Sequence, residues 1–287
     1  MKELGLRIAS SLVAAPIALG AIWVGGAPLA TLAALLAALG AAEFYRLARA
    51  SGSSPLGPLG VLLAALLPIV VHAHLLGVVV VAPAWGVLTG LLVLASAIWV
   101  RGAQGQPLAA TAITVFGVLY TSASLAYVYG LRYHPYAVGE TAGALLVILP
   151  VVLTWASDVG AYVTGRLIGG RKLIPSVSPG KTVAGAVGAL VTTVVAAWVL
   201  TRLVLVPYAQ LGFSPIGLVL VGVLVSLTAQ VGDLAESLLK REAGVKDSGT
   251  LLPGHGGVLD RMDSLYFVLP MASVLYDLFL LPAPGGR

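Results

Sequence analysis

The chain reads as an all-α, polytopic integral membrane protein of about nine transmembrane helices, on three observations. Of its 287 residues 59% are hydrophobic and only 9% are charged, whereas soluble domains carry roughly a quarter charged residues. Apolar stretches long enough to cross a bilayer, about 20 residues each, recur along nearly the whole length. The breaks between them are short, polar or rich in Pro and Gly.

Taken in order, the apolar stretches lie near residues 4–24, 28–48, 57–76, 78–100, 107–129, 141–165, 183–206, 214–238 and 264–282. The first follows Lys2 and Arg7, as in a secretory signal. It exceeds a 7–15-residue h-region and further spans follow, so it is expected to be retained. In the third and fourth stretches Pro68, His72, His74 and Pro83 interrupt the apolar run. With a cytoplasmic N-terminus, thirteen of the sixteen Lys and Arg residues fall on the inner side, and only Arg132, Arg202 and Arg287 on the outer. That bias follows the positive-inside rule and puts the segments around 166–182 and 239–263 together on the cytoplasmic side. The net charge of +5 is thus a matter of membrane orientation, and no nucleic-acid partner is expected. Cysteine is absent, which excludes disulfides, thiolate metal sites and a Cys nucleophile.

The organisation is expected to be a single membrane domain over 1–287, with scaffold helices in 1–135 and a catalytic half in 136–287. The scaffold is mostly Ala, Leu, Val and Gly, small residues that let helices approach closely in lipid. Within it, Glu43, Arg46 and Arg49 lie near one helix face and read as an interfacial anchor containing an ion pair. His72 and His74 are two apart, cannot share a helical face, and read as a loop pair facing outward.

The chemistry concentrates further on. Six of the eleven acidic residues lie between 233 and 263, and a seventh, Asp158, sits inside an apolar span with Ser157, Tyr162 and Arg166 near it. Gln230, Asp233, Ser237 and Lys240 form one helical stripe, with Glu236 alongside. Ionisable groups within a span face a wet cavity or a partner. Lys240 or Arg241 are the available partners if these carboxylates only form a buried ion pair. Asp260 and Asp263, three apart before the last span, are hard oxygen ligands at a spacing that suits Mg²⁺; an acidic pair complementing the helix dipole is the alternative.

Between the clusters runs GVKDSGTLLPGHGGVLD, whose glycines expose backbone N–H groups and permit positive φ, as in loops that wrap phosphate. Lys240, Arg241, Lys246 and Arg261 interleave cations with carboxylates, a mixture that fits a metal–polyphosphate complex. Upstream, RLIGGRKLIPSVSPGKT is no Walker A motif, because Pro175 stands where that motif needs glycine. Lys181 with Ser178 and Thr182 is still placed to bind phosphate at a helix N-terminus, or Ser178 or Thr182 to cap it.

The stretch SLLKREAGVKDSGTLLPGHGGVLDRMD, from Ser237 to Asp263, resembles the signature of the phosphatidate cytidylyltransferases. The family's Ser, Lys-Arg, Lys-Asp, the Pro before His-Gly-Gly and Asp-Arg-x-Asp all occur at the family's separations. A departure lies upstream, where relatives commonly carry SPKKTxEG and this chain reads SPGKTVAG, with Gly180 for a lysine and Ala184 for a glutamate.

The resemblance implies that CTP and phosphatidate give CDP-diacylglycerol and pyrophosphate with a divalent metal at the cytoplasmic face of the cell membrane. On that reading Asp233, Asp260, Asp263 and Lys240 are catalytic. Asp233, Asp247, Asp260 and Asp263 are candidates to hold Mg²⁺ and a second cation. Lys181, Ser237, Arg241, Lys246, His255 and Arg261 contact the substrates, His255 and Asp247 alternatively ordering the loop. Partners are CTP, phosphatidate and membrane lipid, with a homodimer as a family-like expectation. The competing readings are a related nucleotide-dependent lipid enzyme, such as a polyprenol kinase or archaeal-lipid cytidylyltransferase, and a transporter with an ion path through Asp158, Asp233 and Glu236.

Overall fold

In the computed structural model, residues 2–251, 254 and 256–283 are described, with side chains from residue 12 onward. The fold is all-α and polytopic. Among the described residues seven helical segments are long and apolar enough to cross a membrane: Gly26–Ala50, Gly57–Leu75, Pro107–Arg132, Gly139–Ile168, Val183–Ala209, Pro215–Glu242 and Leu259–Phe279. The first expected span lies in a helix, Lys2–Val24, and the fourth forms a shorter apolar helix, Ala84–Val100. The fourth begins six residues later than its hydropathy suggests, because Pro83 stands as the cap before Ala84. His72 and His74, expected in a loop, lie in the last turn of the third helix instead.

The helices are α1 (Lys2–Val24), α2 (Gly26–Ala50), α3 (Gly57–Leu75), α4 (Ala84–Val100), α5 (Pro107–Val118), α6 (Ser124–Arg132), α7 (Gly139–Ile168), α8 (Val183–Leu200), α9 (Pro215–Glu242), α10 (Leu259–Met262) and α11 (Leu265–Phe279). Two π-helical stretches, Leu119–Ala123 and Thr201–Ala209, continue α5 and α8. Two two-stranded antiparallel sheets complete the fold: the hairpin of β1 (Lys172–Ile174) with β2 (Ser178–Thr182), and β3 (Leu211–Phe213) paired with the sequence-distant β4 (Leu280–Pro282). The chain divides into two compact units, the first of residues 1–21, 26–126 and 239–262, the second of 22–25, 127–238 and 263–287.

The first unit is built around Tyr45 of α2, which is fully buried. Its ring fits where α3 and α5 carry only glycine: a Cβ on Gly60 or Gly117 would run into the Tyr45 ring and hydroxyl. The hydroxyl donates to the Thr114 carbonyl at 2.6 Å, and Thr114 Oγ1 in turn accepts the Leu56 N–H at 2.8 Å. In hydrocarbon, helices gain nothing from merely hiding apolar surface, so such close approaches and hydroxyl bridges carry the association.

The second unit packs α7 on α8 by the same device. Gly160 faces Thr192, and Gly188 faces Thr164, each without room for a Cβ. Ser157 of α7 and Ser226 of α9 share a hydrogen bond of 2.9 Å. Arg132, buried, donates through Nε to the Ile22 carbonyl at 2.9 Å and through Nη2 to that of Trp23 at 2.8 Å. It thereby satisfies the carbonyls left open at the end of a helix, where a cation also opposes the helix dipole.

Prolines inside spans leave a carbonyl without its N–H donor one turn earlier. Pro68 of α3 frees the Ala64 carbonyl, which accepts the Ser122 hydroxyl at 2.7 Å. Pro150 of α7 frees the Leu146 carbonyl, which accepts the Tyr276 hydroxyl at 3.0 Å. Each unit thus satisfies the carbonyl its proline leaves open from a neighbouring span, as the absence of water requires.

Candidate active site

The signature stretch begins in the last turns of α9, passes through a loop and closes on α10. Its loop turns on glycines with positive φ, +68° at Gly244, +75° at Gly254 and +80° at Gly256, a conformation that residues with a side chain rarely adopt. Two carboxylates hold the loop. Asp260, buried, accepts at Oδ2 the backbone N–H groups of Ser248 (2.9 Å) and Gly257 (2.8 Å) together with the Ser248 hydroxyl (2.9 Å). Its Oδ1 receives Lys240 Nζ at 2.8 Å. Lys240 and Asp260 thus pin the end of α9 to the start of α10 across the loop.

A second carboxylate completes this arrangement. Glu43 of α2, also buried, accepts the Leu259 N–H at 2.8 Å and the Ser248 hydroxyl at 3.0 Å on Oε2. The single hydroxyl proton of Ser248 serves either Glu43 or Asp260, never both at once. Arg46, one turn beyond Glu43, donates to the Ser248 carbonyl at 2.8 Å and stands 3.7 Å from Glu43 Oε1. A Cβ on Gly249 or Gly257 would collide with Glu43, and one on Gly256 would lie 2.6 Å from Asp260 Oδ2. Glycine is therefore required by close approach at Gly249 and Gly257, and by both close approach and φ at Gly256.

Glu43 and Arg46 were expected to be an interfacial anchor with an ion pair. The ion pair exists, but both residues also hold the signature loop, and nothing in the local sequence of α2 announces this. The one available signal is a glutamate on the otherwise apolar face of a span, which implies an internal partner.

The remaining residues of the signature in this unit, Arg241, Lys246, Asp247 and Arg261, are all exposed on the loop or its flanks. His255 lies outside the described residues.

In the second unit, Lys181 and Asp233 form an ion pair, and the Ser237 hydroxyl stands 3.4 Å from Asp233 Oδ1. The sequence puts Lys181 52 positions before Asp233; the β1–β2 hairpin delivers it. β2 ends in Thr182, whose Oγ1 accepts the Gly185 N–H at 3.1 Å and caps α8, so the capping alternative holds for Thr182. Gly232 packs directly on the backbone of Asp263 and Ser264, its Cβ position lying 2.7 Å from the Asp263 carbonyl oxygen. The Ser264 hydroxyl binds the Ala229 carbonyl at 3.1 Å. Asp263 is thereby seated beside the turn of α9 that carries Asp233, and its Oδ1 accepts the Ser264 N–H at 2.6 Å. Elsewhere in this unit, Arg166 donates to the Tyr162 hydroxyl at 2.7 Å.

Among the described residues no three acidic or histidine side chains converge as a ready metal cage. The donors of the second unit, Asp233, Asp263 and the Ser237 hydroxyl, are nevertheless the hard oxygens that Mg²⁺ prefers, and Mg²⁺ takes few protein ligands because it keeps waters and phosphate oxygens. The Lys181 ammonium already balances Asp233. Asp260 is different: its carboxylate is engaged by loop N–H groups and by Lys240.

The model of the cytidylyltransferase family matches residues 5–279. The chain belongs to the cytidylyltransferase family. Curated proteins named phosphatidate cytidylyltransferase are among its relatives. That of Staphylococcus saprophyticus is 37% identical over 164 residues, which cover 57% of this chain and 58% of that protein. That of Bacillus subtilis is 44% identical over 137 residues, 48% of this chain and 49% of the relative. That of Haemophilus influenzae is 43% identical over 147 residues, 51% of this chain and 50% of the relative. The chain spans about half the length of the curated relatives it matches. This member of the family combines helices long and apolar enough to cross a membrane with a loop held by two buried carboxylates in its first unit and an Asp233–Lys181 pair in its second.

Proposed function

We propose that the chain transfers CMP from CTP to phosphatidate, yielding CDP-diacylglycerol and pyrophosphate. A phosphatidate oxygen attacks the α-phosphorus of CTP, an oxygen–phosphorus bond forms, and the bond to the pyrophosphate leaving group breaks. The lipid supplies the nucleophile, so no covalent enzyme intermediate is needed, and the protein acts by positioning and charge neutralisation.

The observation that carries this reading is the locked glycine loop, in which Asp260 and Glu43 together engage Ser248, Gly257 and Leu259. Such a lock spends two buried carboxylates on holding a loop whose exposed face bears Lys246 and Asp247. Rigid, pre-set backbone with cations on its rim is what polyphosphate binding requires. Lys246, Arg241, Arg261 and His255 are assigned to phosphate oxygens of the substrates, and Lys240 orients the loop through Asp260.

Mg²⁺ is assigned to Asp233 and Asp263, with Ser237 beside them, and would neutralise charge on the triphosphate. Lys181, which pairs with Asp233 in the structure, would be available to a phosphate once Asp233 served as a metal ligand. The Lys and Arg asymmetry supports a cytoplasmic active face, where CTP is found on the same side as the cation-rich segments.

Purified protein incubated with labelled CTP, phosphatidate and Mg²⁺ should move label into the lipid phase. Absence of transfer from a folded protein, across phosphatidate and competing polyprenol or ether-lipid acceptors, would overturn the assignment; preference for another acceptor would reassign the substrate.

A further inference from the structure

The π-helical end of the Val183–Ala209 span, the paired strands β3 and β4 and the start of α9 line a groove of about 820 Å³ within the second unit. Its walls are mainly apolar, with Val194, Trp198, Val206, Phe213 and Leu218 among them. The volume falls within the roughly 300–1,000 Å³ typical of ligand sites.

Two polar residues on the wall distinguish it from a plain crease in a lipid-facing surface. Arg202 lines the groove, is exposed, and among the described residues has no ion-pair or hydrogen-bond partner. It lies inside a segment long and apolar enough to span the membrane, seven residues before its end. A guanidinium at such a depth reaches for the interface or for an anion. Thr201 also lines the groove; it is 3% exposed, and its Oγ1 is buried with no hydrogen-bond partner among the described residues. The π-helical backbone at this point, Thr201–Ala209, is of the kind often found at functional sites.

We propose that this groove binds one anionic phospholipid, an acyl chain lying along the apolar wall and the phosphate on Arg202. The Thr201 hydroxyl turns to donate to a phosphate or ester oxygen. An apolar wall alone accepts any lipid tail; an unpaired cation and an unused hydroxyl at the same wall select one with a negative headgroup. The groove sits at the far end of the α8 span from the β1–β2 hairpin that carries Lys181. The bound lipid is therefore distinct from the acceptor of the proposed reaction, and the inference stands whether or not that reaction is correct.

The test uses the full chain in detergent with equal amounts of phosphatidylglycerol and phosphatidylcholine of matched tails, and native mass spectrometry to count retained lipid. One phosphatidylglycerol should be retained about tenfold over phosphatidylcholine, the scale of one charge-assisted contact. Arg202→Lys should keep this preference, Arg202→Gln should lose it, and Thr201→Val should weaken retention while preserving volume. Equal retention of the two lipids by the unaltered protein would mark an unselective annular lipid and overturn the proposal. So would a preference that survives Arg202→Gln. Because the chain has no cysteine, a single Val195→Cys substitution reports on a competing occupant: efficient disulfide pairing of two copies, with no lipid retained, would assign the groove to a second copy instead.

Discussion

Glu43 and Leu259 lie 216 positions apart in the chain and are joined by a 2.8 Å hydrogen bond from the Leu259 N–H to the Glu43 carboxylate. The bond carries the second span of the protein directly onto the signature loop. A residue that reads as scaffold thus sets the conformation of the residues assigned to phosphate binding.

Glu43→Gln preserves volume but replaces one carboxylate oxygen by an NH₂ group, which cannot accept from Leu259 or Ser248. CMP transfer is expected to fall at least tenfold, the scale of about 1.4 kcal/mol, with folding retained in a thermal melt. Glu43→Asp should recover part of the loss. Full activity in a folded Glu43→Gln protein would show that the lock is dispensable.

Asp263→Asn removes a charge at the assigned metal position without changing volume. Turnover is expected to fall more than a hundredfold, with an unchanged melting temperature, and added Mg²⁺ should raise the residual rate in Asp263→Glu but not in Asp263→Asn. Near-normal rates in folded Asp263→Asn would remove Asp263 from the metal set.

Gly256 and Gly180 make a matched pair. Gly256 combines a φ of +80° with a Cβ position 2.6 Å from Asp260 Oδ2, whereas a Cβ on Gly180 meets nothing within 4 Å. Gly256→Ala should displace the loop and abolish transfer, while Gly180→Ala should leave both stability and activity unchanged. Proteolytic sensitivity of the 243–258 loop would register the difference independently of activity.

Ser122→Ala and Tyr276→Phe each strip the hydroxyl from a carbonyl freed by a proline. Each is expected to lower stability by about 0.6 kcal/mol, the mean measured for such bonds in membranes, and by no more than about 1.7 kcal/mol. The two sites share no partner, so the losses should add in the double variant. Denaturation in mixed micelles would measure all three proteins.

His134 connects stability to pH. Its burial disfavours the imidazolium and pulls its pKa below 6.5, while Asp277, 3.5 Å from Nε2, pulls the other way and is outweighed. Nδ1 accepts the Tyr136 N–H at 3.2 Å, consistent with the neutral ring. The folded protein binds this proton more weakly than the unfolded chain, so the contribution to stability is complete above the unfolded pKa and is lost as pH falls through the folded one. The melting temperature should therefore drop between pH 7 and pH 5, roughly the histidine range, and Asp277→Asn should make that drop steeper. A melting temperature flat across this interval would remove His134 as its source.

The membrane class, the approximate positions of most spans and the signature stretch that carries the family were legible in the sequence. Each depends on local composition: hydropathy over one helix length, the side on which Lys and Arg accumulate, and a dense stretch of glycine, cation and carboxylate from Ser237 to Asp263. Those properties need no knowledge of which helix packs on which. The Lys181–Asp233 pair, the recapping of Leu146 by Tyr276 and the roles of Glu43 and Arg46 were not legible, because each joins residues from elements far apart in the chain. In lipid an isolated polar group on a span announces only that it needs a partner. Which partner it finds is decided by where small residues such as Gly60, Gly188 and Gly232 let helices approach, and that is a property of tertiary packing alone.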